Sequence, residues 1–246
     1  MEPRVDIKKE PLGKGLYIAV SKNHTFGTDA VLLADFAAEK KVKKHCDLGM
    51  GCGIISMLLL REEKVDTTVG VDISAEAVEL ARFTADEYSG DRFTPIFADL
   101  KNLRGILPFG EYDLVTCNPP YKAEGAGIIS DSKTDKVARH ETACSLEDVI
   151  STASHLLKSS GRICICQRPE RLSDIISLMR KYKCEPKRLR MVCKKLGTEP
   201  WLILVEGRRD AKNSIRILPP LYVYDEEGEL SQEMLKIYGD YKEGHI

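Results

Sequence analysis

The sequence predicts an α/β fold: a mostly parallel sheet of seven strands, with helices on both faces and an antiparallel last strand. Three observations lead there. From residue 43 to about residue 180, short apolar runs alternate with amphipathic helical stretches, and strand–helix–strand units wind into parallel sheets. The first of these strands runs into Gly49-Met50-Gly51-Cys52-Gly53, a turn that lets backbone approach a ligand at a helix N-terminus. The last two apolar runs, near 188–194 and 201–205, follow each other without a helix and so pair antiparallel.

Residues 1–15 are polar, hold Pro11, Gly13 and Gly15, and are expected to lack regular structure; Leu16–Val20 then reads as a short strand. After Gly27 the apolar positions from Ala30 to Ala38 fit helical spacing, and Thr28 or Asp29 suits the N-cap. Strands are expected at 43–48, 67–72, 93–97, 112–117 and 161–167. Between them lie helices at 54–61, at 74–88 opened by Ser74, and at 145–158 opened by the capping box Ser145-Leu146-Glu147-Asp148. Pro169 starts another helix, with Leu172, Ile175, Ile176 and Met179 on one face. The polar stretch 122–139 reads as a long loop. No repeat or low-complexity tract interrupts the chain.

The chain has 246 residues, 43% hydrophobic and 30% charged, which is the composition of a soluble globular protein, long enough for one large α/β domain or two small ones. No apolar run approaches the roughly 20 residues of a membrane span, and no secretory segment opens the sequence. Its 8 cysteines are scattered, with no Cys-x-x-Cys pair and no histidine spacing that completes a metal site. Most fall in apolar strands and read as reduced core residues of a cytoplasmic protein. His24, His45, His155 and His245 have no partner evident in the sequence, and Trp201 reads as core. Net charge is −1, but the cluster Lys183, Lys187, Arg188, Arg190, Lys194 and Lys195 forms a local basic surplus, followed by an acidic tail. A polyanionic partner fits that surplus, as does an ordinary solvated face.

The stretch that organises the rest is Cys117-Asn118-Pro119-Pro120-Tyr121. It ends a buried strand with a stiff corner, because each proline fixes its own φ, lacks an N–H and forces its predecessor into extended backbone. Such a corner suits a planar molecule carrying an exocyclic NH2. The Asn118 side-chain oxygen and the Pro119 carbonyl can accept the two amine hydrogens, and Tyr121 can stack on the ring. Upstream, Asp72 ends a strand where a carboxylate can hold both hydroxyls of a ribose, and Asp99 ends the next where it can accept from an adenine amine. The glycine spacing Gly49-x-Gly51-x-Gly53, preceded by Asp47, differs from the Gly-x-Gly-x-x-Gly of dinucleotide sites.

Together these features resemble the Rossmann-like class I S-adenosylmethionine-dependent methyltransferases, and the corner resembles those acting on planar amines or amides. Phe26-Gly27-Thr28-Asp29-Ala30, Asp47-Leu48-Gly49, the corner, and Ala138-Arg139-His140-Glu141 together are similar to the tRNA1(Val) (adenine-37-N6)-methyltransferase family. The likeness covers roughly residues 16 to 235. It implies one methyltransferase domain: an extension with a short hairpin at 1–27, a catalytic core at 28–210 and a tail at 211–246. It implies S-adenosyl-L-methionine held by Thr28, Asp29, Asp47, Gly49, Gly51, Gly53, Asp72, Ile73, Asp99 and Asn118, and catalysis at Asn118, Pro119, Pro120 and Tyr121. The implied partner is tRNA at its anticodon stem-loop, with Arg139 and His140 near the base and Lys187, Arg188 and Arg190 on the backbone. No metal is implied. The corner by itself leaves open N-methylation of guanine or adenine in ribosomal RNA, of adenine in DNA or of a release-factor glutamine. A non-catalytic cofactor- or RNA-binding protein is a further alternative, although binding alone has no need of Asn118.

Overall fold

The computed structural model describes residues 7–119 and 144–239. Strands β1 (Lys8–Gly13) and β2 (Leu16–Val20) form an antiparallel hairpin. This corrects the expectation of irregular chain before residue 16. Pro11 and the lack of alternation hide β1 in the sequence, but a two-stranded ribbon has free edges, where proline is tolerated. Leu12 and Ile18 are buried beneath it.

Helix α1 (Thr28–Ala37) follows, with Gly27 as its N-cap rather than Thr28 or Asp29. It is buried nearly all round, as its continuous apolar run requires. The chain then alternates through β3 (Val42–Leu48), α2 (Ile54–Arg61), β4 (Val65–Asp72), α3 (Ala75–Tyr88), β5 (Phe93–Phe97) and β6 (Tyr112–Cys117). Ser74 caps α3 by accepting from Ala77 N. After the undescribed segment come α4 (Leu146–Leu156), β7 (Leu157–Gln167), α5 (Leu172–Lys181), β8 (Cys184–Cys193) and β9 (Pro200–Arg209). The capping box at Ser145 and Asp148 is formed as read from the sequence. Two short strands, β10 (Arg216–Ile217) and β11 (Leu221–Tyr222), and helix α6 (Gln232–Tyr238) complete the described chain.

The sheet order is β10-β8-β9-β7-β6-β3-β4-β5, with β11 also on β8, so nine strands in place of the expected seven. The two additions are two-residue strands on the outer edge of β8, too short for a periodic signal. β9 is antiparallel to both β7 and β8. Helices α1, α2 and α3 pack on one face and α4 and α5 on the other, each over its own apolar cluster. From β3 the chain moves outward to β4 and β5, then returns to β6 on the opposite side of β3. Leu48 and Cys117 are therefore neighbours at a topological switch point, where open α/β sheets hold ligands beyond their carboxyl ends.

Candidate active site

At that switch point lies a cavity of about 400 Å³, lined by His24, Gly49, Asp72, Ile73, Asp99, Asn118 and Pro119 among others, within the size range of ligand pockets. A larger cavity of about 500 Å³ lies behind α1, between α2 and α6, and none of the strand-end residues lines it. The glycine turn shapes the first cavity. Gly49, Gly51 and Gly53 all have left-handed φ, at 70°, 54° and 88°, a region other residues rarely enter. A Cβ on Gly49 or Gly51 would meet nothing, whereas one on Gly53 would lie 2.9 Å from the Phe93 ring. Gly49 lines the cavity and keeps that side open, whereas Gly51 and Gly53 do not line it; Gly53 lets the turn close on the sheet at Phe93.

Asp72 is fixed before any ligand arrives. Its Oδ2 accepts from Gly51 N and its Oδ1 from Ser74 N, each at 2.8 Å. An ionised carboxylate offers about four lone-pair positions, so two stay available for a diol. Asp99 caps the short turn Leu100–Asn102, accepting from Lys101 N at 2.9 Å. Ile73 is 46% exposed on the cavity wall, an apolar flank for a planar ring. A nucleoside-type ligand, with ribose hydroxyls and an amine to donate, fits this set of acceptors. His24 was not legible as a lining residue: its ring lies 3.0 Å from Ser74 Oγ, a loop-to-helix contact with no local pattern.

Asp47, expected to hold the cofactor, does not line the cavity. It is fully buried beneath the turn, inside a closed ring of polar side chains. Thr116 Oγ1 donates to its Oδ1 at 2.7 Å and Ser56 Oγ to its Oδ2 at 3.3 Å. The His45 ring bridges Thr116 at 2.8 Å and Thr68 at 2.7 Å, and Ser56 and Thr68 are 3.2 Å apart. Because the Thr116 proton goes to Asp47, His45 carries its proton on Nε2 and accepts at Nδ1. Burial pushes the Asp47 carboxyl up to about 6, against the pull of its Thr116 and Ser56 hydrogen bonds. Burial, then the Arg162 charge, takes His45 down to about 3, so the imidazole is neutral.

Asn118 stands at the cavity's inner edge. Its Nδ2 donates to Asp29 Oδ2 at 3.1 Å, and its Oδ1 accepts from Cys166 Sγ at 3.0 Å. Thr28 and Asp29 thus lie beside Asn118 at the start of α1, with the Thr28 hydroxyl 2.9 Å from that of Tyr238. Neither Thr28 nor Asp29 lines the cavity. Cys166, which the sequence marked only as core, belongs to this group as well. Pro120, Tyr121, Arg139 and His140 lie outside the described residues.

The methyltransferase small domain family matches residues 21–182, about two-thirds of the chain, spanning the glycine turn, both strand-end aspartates and the corner. The chain belongs to that family. It is 31% identical over 189 residues to the tRNA1(Val) (adenine(37)-N6)-methyltransferase of Porphyromonas gingivalis, covering 74% of this chain and 73% of the relative. Its fold is similar to that of a predicted O-methyltransferase of Agrobacterium tumefaciens, with a TM-score of 0.68, 21% identity and coverage of 87% and 97% of the two chains. It is also similar to the geranyl diphosphate C-methyltransferase of Streptomyces coelicolor, solved with S-adenosyl-L-homocysteine, at a TM-score of 0.54 and 14% identity over 73% and 76%.

In this methyltransferase the basic cluster does not form one surface. Arg188, expected on the RNA backbone, has a buried guanidinium that donates to Glu206 at 2.7 and 3.0 Å and to Phe36 O at 2.8 Å, and lies over the Phe36 ring. Arg162 donates to the same Glu206 at 3.0 Å and reaches Ala37 O and Lys40 O. Two guanidiniums thus satisfy carbonyls at the end of α1, which a helix leaves without intrahelical donors. Half-buried Arg190 pairs with Glu233 at 2.8 Å, and Lys187 Nζ donates to Lys212 O at 2.9 Å. Register explains the division. Arg188 faces Glu206, which faces Cys164, three residues and so about 10 Å short of the carboxyl end of β7. Lys194 and Lys195 follow Cys193 at the far end of β8, where they are exposed beside the rim. Among the described residues, no group of His, Cys, Asp and Glu is arranged to hold a metal, and no helix is long and apolar enough to cross a membrane.

Proposed function

We propose that this chain methylates N6 of an adenine in tRNA, at position 37 beside the anticodon, using S-adenosyl-L-methionine. The observation that carries the proposal is the arrangement of three features on one rim. Asp72 and Asp99 flank the cavity from adjacent strands, and Asn118 meets it from the other side of the switch point. The Porphyromonas relative, by its name, acts on this base.

The residues divide the work. Asp72 holds the ribose, Asp99 the adenine amine and Ile73 the ring of the cofactor, with Gly49 keeping the approach open. When bound, S-adenosylmethionine supplies an electrophilic methyl on a sulfonium, a good leaving group. Asn118 Oδ1 and the Pro119 carbonyl accept the two hydrogens of N6, drawing its lone pair out of conjugation and aiming it. Positioning of this kind can remove about 7–11 kcal/mol of the barrier between two bound partners. After transfer the cationic amine loses a proton readily to water, so the chain needs no strong base. The target base lies in a single-stranded loop, and exposing it costs only unstacking, a few kcal/mol. Lys194 and Lys195, exposed at the carboxyl rim, meet the RNA backbone, in place of the Lys187–Arg190 stretch.

The test is mass spectrometry of nucleosides from tRNA incubated with the protein and labelled cofactor, followed by mapping of the site. Labelled N6-methyladenosine at position 37 is the expected product. Label in another nucleoside, or only in ribosomal RNA, DNA or release factor, would overturn the assignment.

A further inference from the structure

We propose that Asp29 is a positioning residue: its carboxylate fixes the side-chain amide of Asn118 so that the oxygen, and not the NH2, faces the substrate amine. This rests on the acceptor role given to Asn118 above.

A primary amide is nearly symmetric in shape, and a half-turn exchanges its acceptor for its donor. For most asparagines either orientation finds partners in water. At this site the wrong one would aim two N–H donors at an amine whose own hydrogens need acceptors. Two groups from distant parts of the chain flank the amide, and the carboxylate is the one that excludes the wrong orientation. Asp29, 89 residues earlier on α1, offers Oδ2 at 3.1 Å to Nδ2; an ionised carboxylate only accepts, so it tolerates NH2 on that side. Cys166, 48 residues later on β7, donates its thiol to Oδ1 at 3.0 Å.

The carboxylate is itself held. Asp29 Oδ1 accepts from Ala30 N at 3.0 Å, turning the other oxygen toward Asn118. Gly27 makes room for this fold-back: a Cβ there would lie 2.8 Å from Asp29 Oδ1. Gly27 has φ −118° and ψ 178°, extended backbone that any residue adopts, so its lack of a side chain serves space and not conformation. The family resemblance implies a cofactor role for Asp29, which predicts a different outcome on substitution.

Asp29→Ala, Gly27→Ala, Asn118→Ala and the Asp29→Ala/Asn118→Ala pair separate the two. Each is measured for single-turnover methylation at saturating cofactor, for cofactor affinity by calorimetry and for thermal unfolding. The acceptor is whichever RNA or protein the unaltered chain methylates. Asp29→Ala is expected to slow transfer about 10²-fold, the scale of a small misplacement of a reacting group, with cofactor affinity within about threefold. Gly27→Ala should slow it similarly, because its methyl displaces the carboxylate without removing it. Asp29→Asn, whose own oxygen can accept from Nδ2, should recover part of the rate. The double variant should be no slower than Asn118→Ala alone, since residues acting as a unit are not additive. A multiplicative loss in the double variant would overturn the proposal, as would weaker cofactor binding with an unchanged saturated rate. A normal rate in Asn118→Ala would instead overturn the acceptor role on which the proposal stands.

Discussion

Two carboxylates are buried on the same face of the sheet, and the protein treats them in opposite ways. Glu206 lies between two guanidiniums, Arg162 and Arg188, with all three side chains at 10% exposure or less. Asp47, about three strands away, has only neutral partners: two serine or threonine hydroxyls, backed by a second threonine and a neutral histidine. The first cluster closes the far end of α1; the second sits beneath the glycine turn. Full pairing makes a fixed joint. Neutral hydrogen bonds do not offset burial, which pushes this carboxyl up to about 6. Burial alone therefore does not say what a charge is for; the sign of its neighbours does.

Removing the shared carboxylate should have the largest effect. Glu206→Gln removes the carboxylate that both guanidiniums share and leaves only Glu39, 3.5 Å from Arg188, as a counter-charge; breaking a buried pair in this way costs about 3–5 kcal/mol. Denaturant unfolding that shows less than about 1 kcal/mol would mean that water reaches the cluster. The Asp47 ring should respond differently, through pH. Its folded-state pKa lies above the unfolded value of 3.8, so as pH rises the unfolded chain releases its proton first. The folded state loses stability between about pH 4 and pH 6, by roughly 3 kcal/mol for a shift of this size. Asp47→Asn should match the unaltered protein near pH 4 and exceed it at pH 7. Equal stability at both pH values would place the Asp47 titration elsewhere. His45, held neutral, works the other way: as pH falls from about 6.5 toward 3, the unfolded chain binds the proton first and stability is lost.

The smallest effect concerns the outer charges. Reversing Lys194 and Lys195 should reduce the salt dependence of tRNA affinity by a slope of about 1.4, at about 0.7 per phosphate for single strands. Reversing Lys187 and Arg190, which have partners within the chain, should leave the slope unchanged. The opposite result would return the RNA path to the middle of β8.

The contrast also marks how far the sequence could be read. Strand and helix follow from local spacing, so β3 to β9 and the caps at Ser74 and Ser145 were legible, as were Gly49, Asp72, Asp99 and Asn118 at strand ends. Arg188 was not. In the sequence it stands among lysines and arginines and reads as surface, and only its pairing across β9 reveals Glu206 as its partner. His45 and Cys166 escaped for the same reason. Each acts through groups 48 or more residues away, or on neighbouring strands, and no periodicity records that. The hairpin strand β1 was hidden by Pro11, which local rules set against a strand.

The central claim is that Asn118, set at the switch point, accepts from the amine being methylated. Single-turnover transfer by Asn118→Ala, with cofactor affinity measured in parallel, tests it most directly. Loss of one oriented polar contact to the reacting group should slow transfer about 10²–10³-fold, while calorimetry shows cofactor binding little changed. A rate within a few-fold of the unaltered protein would contradict the account.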